Sequence, residues 1–125
     1  YHGTNDPIFS SDDTTTWYND LRGANGGDAS NFARFYRVPG MNHCSGGPAA
    51  DQFDMLTPLV NWVEKGQAPD SVVASVRGPG NAAAVNADVP ATWSATRTRP
   101  LCPYPQVARY NGTGDIESAA SFSCK

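Results

Sequence analysis

Two short stretches hold the residues best placed to do chemistry. Tyr1-His2-Gly3-Thr4-Asn5-Asp6-Pro7 carries a carboxylate beside a proline, and Arg37-Val38-Pro39-Gly40-Met41-Asn42-His43-Cys44 ends in one of only two histidines. An Asp that accepts a hydrogen bond from a His fixes the ring tautomer and stabilises the cation formed when the ring takes a proton. Such a pair serves acyl transfer only with a nucleophile. In α/β-hydrolases the chain order is Ser, acid, His, with the Ser in a Gly-x-Ser-x-Gly elbow. No such elbow occurs here, so a nucleophile for Asp6 and His43 is expected upstream of Tyr1. Both residues also have ordinary readings, Asp6 as a turn former before proline and His43 as an exposed loop histidine. A further reading makes His2, Asp6 and His43 zinc ligands, but their spacing matches no His-rich metal signature. No metal or other cofactor is expected.

The surrounding elements decide whether acid and base meet. Tyr1 to Gly3 reads as the end of a strand, and Pro7 biases Asp6 toward extended geometry, so the carboxylate belongs to a strand exit. Ser10 or Ser11 caps a helix with Asp12 and Asp13 in its first turn, Trp17 and Leu21 on one face, and Gly23 as its stop. The aromatic run Phe32 to Val38 predicts a strand closed by Pro39-Gly40. A second helix spans 51–66, with Asp51 as a possible cap and Leu56, Leu59, Val60 and Val63 as its apolar stripe. Pro58 requires either a second segment capped by Thr57 or a kink. Ser71 to Arg77 predicts another strand, and Trp93 to Arg99 an edge strand that Pro100 ends. The rest reads as coil. Strand, helix, strand, helix is the order of an α/β domain, whose functional side chains sit just past the carboxyl ends of strands. Asp6 and His43 both occupy that place.

At 125 residues the chain is one domain at most. A net charge of -3 without a basic run argues against nucleic acid and anionic membrane surfaces as partners, and no apolar stretch is long enough to span a bilayer. The chain opens in mid-strand without Met, which reads as the C-terminal part of something longer. Three cysteines suggest one intramolecular bond and one thiol left over. Cys102 and Cys124 share a Pro/Gly/Ser-rich tail with little to pack against and are the natural pair. Closing that loop stabilises the tail by about 3 kcal/mol in the chain-entropy model. Cys44 is then left with a partner outside this sequence, or else is a buried free thiol.

Tyr1 to Ser10 resembles the segment that carries the catalytic acid in the tannase/feruloyl esterase family, and Pro39-Gly40-Met41-Asn42-His43-Cys44 resembles its His-Cys segment. Leu59 to Gly66 and Arg99 to Pro105 look like the family's C-terminal blocks. The four motifs fall in the family's order and cover nearly the whole chain. The resemblance implies that Asp6 is the triad acid and His43 the triad base. It also implies that Cys44 is bridged to a Cys just before the nucleophilic Ser, and that Cys102–Cys124 is the family's C-terminal disulfide. Galloyl, feruloyl and terephthaloyl esters all fall within the family, so no single substrate is singled out.

The expected fold is therefore α/β, the C-terminal part of an α/β-hydrolase domain. Residues 1–77 form the core that carries acid and base, and 78–125 a loop-rich tail. The nucleophile elbow, the oxyanion hole and the lid with its calcium site lie outside the chain. The expected function is a secreted or periplasmic serine esterase for aromatic-acid esters, inactive without the missing N-terminal portion. Phe9, three residues past the acid, is a candidate for stacking on the aromatic acyl group, or else an anchor for the helix start. The rival is a disulfide-stapled extracellular binding module, which would place His43 far from Asp6.

Overall fold

The strand exits that carry acid and base are neighbours. The computed structural model describes residues 1–125. In it His2–Gly3 (β1) and Arg37–Val38 (β2) pair in parallel, His2 opposite Arg37 and Gly3 opposite Val38. Between them Ser11–Ala24 (α1) provides the crossover that a parallel pair requires. Ser10 caps it, its side chain accepting the N–H of Asp12, and Asp12 and Asp13 fill the first turn. The buried face is not the expected one. Trp17 stays largely exposed, whereas Tyr18 packs its ring near Phe35 and Tyr104 and donates its hydroxyl to the Ala33 carbonyl at 2.9 Å. A buried Tyr needs such an acceptor, and the loop after α1 supplies one.

The strand expected over 32–38 contracts to β2, because the N–H groups of Phe32 and Ala33 turn back onto the Ala29 carbonyl. Leu56–Lys65 (α2) begins later than expected. Its start is held by Asp54, whose Oδ1 accepts the N–H of Leu56 at 2.8 Å and of Thr57 at 3.0 Å. Pro58 thereby falls in the first turn of a later-starting segment, where its missing N–H costs nothing, with Asp54 in place of Thr57 holding the start. Gly66, at φ 69°, ends it. Asp51 is no cap; it is buried elsewhere.

Val72–Ser75 (β3) and Thr98–Leu101 (β4) pair antiparallel, so the segment after residue 77 returns to the core through a ladder. Pro100 lies inside β4, opposite Val73, and does not end it, as a two-stranded ladder tolerates when the proline nitrogen owes no bond. The tail read as coil contains a ladder of its own, Ala108–Tyr110 (β5) against Phe122–Cys124 (β6). The Cys102–Cys124 disulfide ties this ladder to the end of β4. The core lies between these pieces: Val38 and Met41 are fully buried, packed with Tyr36, Val72, Ala74, Val76 and Leu101. The apolar stripe of α2 faces outward, with Leu56 and Val63 among the most exposed large side chains. No helix is long and apolar enough to cross a membrane.

Candidate active site

Asp6 leaves β1 in a turn that uses one of its own oxygens. Oδ1 accepts the backbone N–H of Ile8 at 2.8 Å and of Phe9 at 3.1 Å, the self-closing turn that an Asp before proline favours. Oδ2 is thereby aimed across to β2, where His43 Nδ1 lies 2.9 Å away. The Asp6 side chain is only 4% exposed, whereas His43 is 42% exposed. Burial opposes ionisation of Asp6, yet the bonds from His43, Ile8 and Phe9 prevail and hold its carboxyl well below the usual carboxylate range. An ionised Asp6 can only accept, so the proton of a neutral His43 ring sits on Nδ1. Nε2 is left as the acceptor, and it makes no hydrogen bond within the chain.

The turn bearing His43 is built from strained or glycine positions. Cys44 has φ 64°, in the left-handed region that an L residue rarely adopts. Two carboxylates fasten the glycines after it. Asp51 Oδ2 accepts the Gly46 N–H at 2.7 Å and is itself held by Arg77 at 2.6 Å. Asp88 Oδ2 accepts the Gly47 N–H at 2.9 Å, while Asn86 donates to the Gly47 carbonyl at 2.9 Å. Gly3 lets the two exits approach: a Cβ there would stand 2.2 Å from the Met41 carbonyl oxygen. The Asn5 N–H donates to that same oxygen at 3.0 Å.

Asp6, His43, Phe9 and Cys44 all border one open depression of about 350 Å³. Phe9 is 60% exposed, so it does not anchor the helix start in the core. Its ring lies 5.4 Å from the His43 ring, centroid to centroid. Cys44 is an exposed thiol, which removes the reading of a buried one. His2 joins the group: its Nε2 is 3.2 Å from Asp6 Oδ2. Of the three side chains weighed as zinc ligands, His43 is bonded to the Asp6 carboxylate and the His2 nitrogens to Thr14 Oγ1 and the Phe9 carbonyl, and no set of three has the geometry to hold a metal ion. Reading by motif missed His2 as a neighbour of Asp6, took Asp51 for a helix cap, and gave Arg77 and Asp88 no part in the site.

Fold and site together define a mixed α/β protein with a carboxylate–imidazole pair at the carboxyl ends of parallel strands, the placement used by hydrolases built on such sheets. The chain belongs to the tannase and feruloyl esterase family, whose model matches residues 1–125. It is 54% identical over 124 residues to a mono(2-hydroxyethyl) terephthalate hydrolase of Piscinibacter sakaiensis, covering 99% of this chain and 19% of that enzyme. To feruloyl esterase B of Aspergillus niger it is 30% identical over 141 residues, covering 99% and 25%. An esterase from Aspergillus oryzae has a similar crystal structure, with a TM-score of 0.79 at 27% identity, covering 100% of this chain and 26% of that one. The chain thus spans about a fifth to a quarter of the length of the relatives it matches.

Proposed function

We propose that the chain supplies the acid and base of a serine-type carboxylic ester hydrolase acting on esters of aromatic acids. The observation that carries this reading is the 2.9 Å bond from His43 Nδ1 to Asp6 Oδ2, in a pair that borders the same depression as Phe9. The binding-module reading expects these groups far apart, and their separation speaks against it.

A serine from the remainder of the hydrolase domain attacks the ester carbonyl, and Nε2 of His43 takes its proton as the new C–O bond forms. Asp6 stabilises the resulting imidazolium without itself becoming protonated. The proton then passes from Nε2 to the departing alcohol, leaving an acyl-enzyme. Water attacks this acyl-enzyme with His43 as base a second time, releasing the acid and restoring the serine. Phe9 offers its ring to the aromatic acyl group. Cys44, exposed beside His43, is placed to bridge to a cysteine next to the serine and so to tie base to nucleophile. Aromatic acids are favoured as the acyl class because both named relatives act on esters of such acids. The Cys102–Cys124 disulfide is compatible with an extracellular or periplasmic location.

The test compares the complete enzyme that carries this chain with its His43→Ala variant, on mono(2-hydroxyethyl) terephthalate and methyl ferulate. A loss of kcat of about 10³-fold or more on whichever ester is turned over is expected. Retention of a tenth of the activity would overturn the reading. The isolated chain should hydrolyse neither ester, and turnover by it would overturn the placement of the nucleophile outside residues 1–125.

A further inference from the structure

Asp6 carries a second imidazole, one that the acid–base pair does not account for. His2 Nε2 lies 3.2 Å from Asp6 Oδ2, the same oxygen that His43 Nδ1 approaches. It also lies 3.2 Å from the carbonyl oxygen of Phe9. Nε2 hydrogen-bonds the Phe9 carbonyl, an acceptor, so it carries a proton and donates it there, while its approach to Asp6 Oδ2 is a close polar contact. On the opposite edge of the ring, Nδ1 is 2.8 Å from Thr14 Oγ1, a hydroxyl of α1 free to donate to it. The His2 side chain is 14% exposed, well shielded from bulk water. Three donors therefore converge on one carboxylate, the N–H groups of Ile8 and Phe9 on Oδ1 and the His43 ring on Oδ2, with the His2 ring in close contact beside it.

We propose that His2 is a positioning residue for ester hydrolysis, holding the turn that carries Asp6 through its Nε2–H bond to the Phe9 carbonyl, with the same ring edge set against Oδ2. The proposal rests on the reading of Asp6 and His43 as acid and base. The backbone donors reach only Oδ1 and leave the carboxylate free to pivot about that end. His2 blocks the pivot from the Oδ2 side, so that Oδ2 stays in line with His43 Nδ1. Because the Nε2 proton is given to the Phe9 carbonyl, the residue bearing the rim aromatic ring is fixed to the ring that flanks the acid. Thr14 completes the chain by orienting the His2 ring from α1. A misplaced acid is felt when the His43 cation forms, that is, in the transition state, so the effect belongs to kcat and not to KM.

Steady-state kinetics of the complete enzyme on mono(2-hydroxyethyl) terephthalate or methyl ferulate test this. His2→Leu, which keeps bulk without a donor, should lower kcat by about tenfold or more and leave KM within about twofold. His2→Gln, whose amide N–H extends to about the reach of Nε2, should recover most of that loss. Unchanged kcat in His2→Leu, a loss seen mainly in KM, or equal losses in Leu and Gln would each overturn the proposal. If the Leu variant does not fold, Gln decides alone: kcat within about threefold of the parent supports the role, and a tenfold loss overturns it. His43→Ala separates the two levels. If His43→Ala retains activity the esterase reading fails; if only the His2 variants depart from expectation, the positioning role fails and the esterase reading stands.

Discussion

Asp6 uses its two oxygens differently, and the difference fixes what a substitution should do. Oδ1 closes the backbone turn and Oδ2 bonds the His43 imidazole. Asp6→Asn can preserve the first function while removing the charge that stabilises a protonated His43. It also allows an amide N–H to face Nδ1, which favours the wrong ring tautomer. The complete enzyme should then lose about 10⁴-fold in kcat with little change in KM, measured by steady-state kinetics. Phe9 sits on the same turn, but its ring is solvent-facing beside His43. Phe9→Ala should raise KM for aromatic-acid esters more than for acetyl esters, since only the former lose a stacking surface. Equal losses on both would remove Phe9 from acyl recognition.

The elements bring these residues together by close approach more than by extensive pairing, because β1 and β2 share only two residues each. Gly3→Ala would drive a methyl group into the Met41 carbonyl. Since backbone and not a flexible side chain is in the way, about 1–3 kcal/mol of stability should be lost, and kcat should fall as the His43 turn is displaced. The opposite anchor is Asp51. Burial opposes its charge, but Arg77 and the Gly46 N–H overcome this and lower its carboxyl below the usual range. A depressed native value means a contribution that is complete above the unfolded value of about 4 and is lost as pH falls through the native one. Asp51→Asn should cost about 3 kcal/mol near neutral pH by leaving Arg77 unpaired, and should flatten the decline in Tm below pH 4. The strand–helix–strand order and both exits were legible in the sequence, because Pro7, Ser10 and Pro39-Gly40 act through local backbone chemistry. Asp51 was misread for the same reason: next to a helical pattern it looks like a cap, and its true partner, Arg77, lies 26 positions on. The β5–β6 ladder was missed because its strands are three residues long and take their order from the disulfide and β4, not from alternation.

At the scale of the molecule, the α2 stripe is the feature that a free-standing domain would not keep. Leu56 is 69% exposed and Val63 77%, with Leu59 and Val60 beside them, although the spacing is that of a helix made to bury one face. Scattered apolar residues on a surface are ordinary, but a continuous helical stripe marks a covered face. If the remainder of the hydrolase domain covers it, each of these side chains contributes about 1.5–3 kcal/mol to the complete enzyme and nothing favourable to the chain alone. Leu56→Lys with Val63→Lys should then act in opposite directions in the two settings. In the isolated chain the pair of substitutions should reduce hydrophobic-dye binding and self-association, read by fluorescence and sedimentation. In the complete enzyme it should lower Tm by several degrees or prevent folding, since two charges would be driven into an interface without partners. A complete enzyme with unchanged Tm would mean that the stripe faces water there too, and that α2 belongs to the outer surface of the domain.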